Sequence, residues 1–246
     1  AADGDGPFDS HSFTLGMGDM GSLTFAGHGG SSAMGAVDDV MPTAYEEPWG
    51  FLNTSTSSGG TVYSASVASV GAIGSAGANN MFTYNNSALV DGLSLTVSYL
   101  PSDSTYTDSA TDLAIAYTGV EGLTVGWATG ENGLSGTSAI DSETMYIKYV
   151  YGPVTVGYQE SEKEGNNATN TDEFEAFGIT YAVTEDISVG FAESTVDLGS
   201  STTDQVTQNV SFSYTMGGMS VTGSFVDQEN AGGSTHANND RKGYEL

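Results

Sequence analysis

The densest chemistry in this sequence is carboxylate. Within one long polar stretch, residues 29–80, Asp38 and Asp39 are followed by Glu46 and Glu47, set among Tyr45, Pro48 and Trp49. Carboxylates held in a narrow, partly desolvated space build a potential of several kT and concentrate cations. The same four residues on an open surface would only solvate it. A long link that carries its own apolar residues folds against something, which favours the first reading. Opposing charge is scarce, with 31 Asp and Glu against 4 Lys and Arg and a net charge of −27. By its alternation pattern, Lys148 is the one basic residue expected inside a strand, with the parity of Thr144 and Tyr146. An ammonium there, across from the loop acids, would set up a transverse field. No strand arginine is expected.

Other chemistry finds little support. The chain has no Cys, which excludes a disulfide scaffold and a thiolate zinc site. His11, His28 and His236 stand at strand ends or in a loop, and neither a GxSxG nucleophile elbow nor a Walker-type glycine loop occurs. An enzyme is not expected, nor is a cofactor. Nucleic acid is excluded as a partner because only Arg241 and Lys242 adjoin, and phosphate neutralisation needs clustered cations. Two acidic groups, Glu160, Glu162, Glu164, Asp172 and Glu173, then Asp227, Glu229 and Asp240, offer hard oxygen ligands to calcium. No stretch has EF-hand spacing, so hydrated acidic loops are the better expectation.

The elements that must carry these residues are strands. Alternation of large apolar with small or hydroxyl residues recurs along most of the chain, as in Leu93-Ser94-Leu95-Thr96-Val97-Ser98-Tyr99 and in Val154-Thr155-Val156-Gly157-Tyr158. Twelve such segments are expected. Their connections alternate between short turns, such as Gly152 or Gly217-Gly218, and long polar links at roughly 29–80, 101–110, 130–142, 162–172, 195–205 and 228–241. No run approaches the ~18 to 20 apolar residues of a membrane helix. Antiparallel hairpins that are tight at one end and loose at the other mark a transmembrane β-barrel instead.

The aromatics sharpen that expectation. On strands leaving a short turn they lie late, at Phe25, Tyr99, Trp127, Tyr158, Phe191 and Phe225; on strands entering one they lie close to it, at Tyr84, Tyr117, Tyr149, Tyr181 and Tyr214. Antiparallel order stacks them into two girdles, one at each membrane interface. The other face, of Ser, Thr, Ala and Gly, is too small and polar to fill a dry core and should line water.

With these patterns in place, Phe13 to Gly30 (FTLGMGDMGSLTFAGHGG), the long loop after it and hairpins such as 143–160 (ETMYIKYVYGPVTVGYQE) resemble the general diffusion porins of Gram-negative bacteria, especially the alphaproteobacterial kind. The resemblance covers nearly the whole chain and rests on pattern. It implies an outer-membrane barrel of sixteen antiparallel strands, a homotrimer, and a long third loop folded into the lumen after the fifth strand. The family's arginine cluster opposite that loop is not matched. Counting from the loop makes the twelve strands the fourth to fifteenth, with Gly243 to Leu246 opening the sixteenth. On that count 1–246 is one barrel domain lacking N-terminal strands and most of the last one, with 29–80 as its constriction. The expected function is passive passage of small hydrophilic solutes and ions, cations preferred. Alternatives are a substrate-specific barrel, a smaller complete barrel, or an acidic exported β-rich binding protein.

Overall fold

The structure, a computed structural model, describes residues 11–37, 40–45, 79–102, 108–136, 139–165, 171–233, 235 and 240–246. Thirteen strands follow one another in chain order as an antiparallel sheet: β1 (His11–Gly16), β2 (Ser22–His28), β3 (Met81–Asn86), β4 (Leu93–Leu100), β5 (Ala110–Val120), β6 (Leu123–Glu131), β7 (Ile140–Tyr151), β8 (Val154–Gly165), β9 (Asp172–Ala182), β10 (Ile187–Leu198), β11 (Gln205–Met216), β12 (Met219–Glu229) and β13 (Arg241–Glu245). A single 3₁₀ turn, Gly18–Met20, stands between β1 and β2.

Short and long connections alternate along most of the chain, but strand extension shortens the links expected at 162–172 and 195–205 to residues 166–171 and 199–204, each no longer than the 87–92 turn. Gly152 and Gly217 open two-residue turns with φ of +56° and +59°, a left-handed geometry that matches strand twist and that glycine adopts without a Cβ penalty. β10 pairs continuously from Ile187 to Val196 with β11 and from Ser188 to Leu198 with β9, while register shifts between His11 and Ser12 of β1 and between Tyr117 and Val120 of β5.

Burial is inverted relative to a water-soluble sandwich. Phe13, Val125, Met145, Phe177, Val210 and Phe225 are all exposed, while Ser98, Asp112, Thr144, Gln159, Thr207 and Asn209 are buried. A soluble protein hides the large apolar members of such an alternation and shows the polar ones to water. Here the face that could remove most apolar surface from water is the one left open.

All twelve expected strands are present, and most run further than apolar alternation suggests. β8 continues through Glu160, Glu162 and Glu164, β10 through Asp197, and β12 through Asp227 and Glu229. On these ends the large-residue face becomes acidic, so the period of two persists while the apolar signal stops. β13 begins at Arg241 rather than Gly243 for the same reason.

The chain divides into two compact units. The first contains β1 to β6, residues 29–37 and the start of β7; the second contains residues 40–45, the rest of β7, β8 through Glu162, and β9 to β13.

Candidate functional site

In the first unit the small-residue face of β3 to β6 carries the beginning of the long link. Ala33 donates its backbone N–H to Ser98 Oγ at 2.8 Å in a buried bond, and Thr83 Oγ1 donates to the Ser31 carbonyl at 3.3 Å. Met34 is fully buried. Beneath it, Ser98 on β4 pairs with Asp112 on β5, whose side chain is fully buried. Gly130 on β6 makes room for both neighbours: a Cβ there would overlap Asp112 Oδ1 and come within 2.9 Å of Met34 Cγ.

In the second unit residues 41–45 lie on the same face of β8 to β13. Cβ atoms added at Gly157 and Gly178 would sit 2.5 Å from Pro42 Cδ and 2.7 Å from the Pro42 carbonyl oxygen. At Gly190 the added atom would be 2.9 Å from the Ala44 nitrogen. Ala44 donates its N–H to Ser211 Oγ at 3.0 Å, and the Tyr45 hydroxyl donates to Glu245 Oε1 at 3.2 Å. In each unit, therefore, some small residues on this face seat a stretch of the link.

Charge is sorted between the faces strand by strand. Glu131 on β6, Asp141 and Glu143 on β7, Glu160, Glu162 and Glu164 on β8, Glu173 and Glu175 on β9, Glu193 and Asp197 on β10, and Asp227 and Glu229 on β12 share the parity of the large apolar residues. Trp127 Nε1 donates to Glu143 Oε1 at 2.8 Å, and Gln208 Nε2 to Glu193 Oε2 at 2.6 Å. Glu173 stands directly opposite Asp197.

The small-residue face has only Asp112, Asp172 and Glu245 among described strand acids, and three of the four cations: Lys148, Lys163 and Arg241. Lys242 lies on the large-residue face, 2.5 Å from Asp227 Oδ2. Two expectations are corrected here. Lys148 is not the one basic residue in a strand, because β8 and β13 extend to Lys163 and Arg241, and Arg241, opposite the buried Gln228, supplies a strand arginine on the small-residue face. Sequence reading missed both because it ended their strands where the apolar alternation ends.

A model of the Gram-negative porin family matches residues 1–233. The chain belongs to the Gram-negative porin family. No characterised protein matches it by sequence alone. Among solved structures it is similar to a porin refined at 1.8 Å, at 16% identity over 86% of this chain and 73% of that one, with a TM-score of 0.58. It is also similar to the outer-membrane protein OmpT of Vibrio cholerae, at 13% identity over 89% and 69% of the two chains with a TM-score of 0.58. A double mutant of the Rhodopseudomonas blastica porin aligns at 13% identity over 92% and 71% with a TM-score of 0.60.

As a porin, the protein is an outer-membrane channel rather than an enzyme, and its exposed apolar face follows from solvation by lipid. Of the aromatics singled out by sequence, Tyr99, Tyr117, Tyr149, Tyr158, Tyr181, Phe191 and Phe225 are exposed on the large-residue face, and Phe25, Tyr84, Trp127 and Tyr214 are half-buried on it. Register adds members that sequence order missed: Phe13 pairs with Phe25, Phe25 with Phe82, and Phe82 with Tyr99, a continuous aromatic row across four strands. Phe25 and Phe82 pack with ring centroids 5.0 Å apart. Asp38, Asp39, Glu46 and Glu47 lie outside the described residues, as does His236. Within those residues no three His, Asp or Glu side chains converge as a metal site.

Proposed function

We propose that this porin is a passive, water-filled channel for small hydrophilic solutes and ions, in which the small-residue face lines the lumen and residues 29–80 form its constriction. The observation that carries the reading is the inverted burial, with apolar side chains outward and hydroxyls, amides and three of the four cations inward, on a sheet whose long connections share one end. Such a wall suits water rather than a dry core. The two aromatic rows then stand at the membrane interfaces. Cation preference, on this reading, comes from Asp38, Asp39, Glu46 and Glu47 rather than from net charge, because the described strand wall offers as many cations as acids. Assembly is proposed to be trimeric; OmpT of Vibrio cholerae has been solved in a trimer form. Liposome swelling with a graded series of uncharged sugars tests the channel. Uptake rates should fall smoothly with solute size, whereas uptake of one sugar alone would point to a substrate-specific barrel. Mass measurement in mild detergent tests the trimer, and a monomer would contradict it.

A further inference from the structure

We infer that Gly157, Gly178 and Gly190 are positioning residues that fix how far the constriction loop stands off the lumen wall, and so set the bore of the pore. The inference rests on the channel reading above. The three glycines lie on the small-residue face of three successive strands, and residues 42–44 run across them. An added Cβ would meet Pro42 Cδ at 2.5 Å from Gly157 and Pro42 O at 2.7 Å from Gly178, and from Gly190 it would meet Ser211 Oγ at 2.8 Å and Ala44 N at 2.9 Å. Carbon and backbone atoms do not approach so closely, so the strap sits as near to the sheet as the absence of side chains permits. Ala44 N–H donates to Ser211 Oγ at 3.0 Å, which registers the strap on this row.

None of the three glycines is among those with positive φ, so alanine costs the strand backbone little, and its effect falls on the strap and, at Gly190, also on the Ser211 hydroxyl that holds the strap. A methyl group under Pro42 can be accommodated by lifting the loop toward the pore axis. Gly16, on the small-residue face of β1 with nothing within 4 Å of an added Cβ, supplies the matched control.

The experiment compares wild type, Gly16→Ala, Gly178→Ala and the triple variant Gly157→Ala/Gly178→Ala/Gly190→Ala in planar bilayers at 1 M salt. Charge effects are there screened to ~3 Å, so conductance reads bore. Conductance should fall by roughly 1.5-fold in Gly178→Ala and further in the triple variant, with a smaller sugar-size cutoff and unchanged Gly16→Ala behaviour; a rise would contradict the inference. A triple variant that conducts and sieves like wild type overturns the inference. Should it fail to fold, an Ala44→Cys/Ser211→Cys pair in this cysteine-free chain decides instead. A cross-link formed by oxidation in the membrane supports the seat, and two thiols that label freely and never join overturn it. A wild-type protein that does not conduct contradicts the channel reading, while the cross-link still tests the seat.

Discussion

Glu173 and Asp197 face each other across β9 and β10 on the outward side, where like charges directly opposite work against pairing. They lie toward the long-loop end, beyond Phe177 and Phe191, where outward side chains can leave the apolar band for water and headgroups. Neutralising both, as Glu173→Gln with Asp197→Asn, should leave ion selectivity unchanged while raising stability by about 0.2–1 kcal/mol, read from urea unfolding in lipid. Lys148 behaves oppositely. It is half-buried on the small-residue face, so Lys148→Glu should raise the cation-to-anion permeability ratio roughly twofold, read as a reversal potential across a salt gradient. A shift from the outward pair, or none from Lys148, would mean that the faces are misassigned. Lys148 was legible because its strand keeps large apolar residues at Met145, Ile147 and Tyr149. Lys163 and Arg241 were not, since their neighbours Glu162, Glu164 and Lys242 carry the alternation as charge, which a hydrophobic period does not register.

Each strand is a ladder with one face for lipid and one for water or loop, and two kinds of substitution probe that division. Val189, exposed in the outward band of β10, should cost about 2–4 kcal/mol when replaced by lysine, because the ammonium then sits in hydrocarbon. Ser98 on the opposite face is fully buried and accepts the Ala33 N–H. Ser98→Ala should cost about 1–3 kcal/mol by leaving that donor unsatisfied, with amide exchange at Ala33 the direct readout. Existence and order of the strands were readable from periodicity because lipid-facing and wall-facing positions alternate without exception in segments such as 93–99. The seats of the loop were not readable. Gly130, Gly157, Gly178 and Gly190 look like any small residue in a wall, and only the approach of Met34, Pro42 and Ala44 distinguishes them.

At the scale of the molecule, the net charge of −27 overstates how negative the pore is. Most described strand acids lie on the large-residue face, and the small-residue face, the proposed lumen wall, carries three cations, Lys148, Lys163 and Arg241, and three acids, Asp112, Asp172 and Glu245. On the proposed reading selectivity is a property of the loop carboxylates, so replacing Asp38, Asp39, Glu46 and Glu47 with their amides should bring the proposed cation preference close to unity. On the proposed reading the same wall would make passage depend on size and hydration rather than on a binding pocket. The most direct measurement is single-channel current of the reconstituted protein as the concentration of a simple salt is raised. The account predicts conductance that grows nearly in proportion to salt and is unchanged by added sugars small enough to pass. Current that saturates at low concentration, or is blocked by one solute, would contradict a diffusion channel.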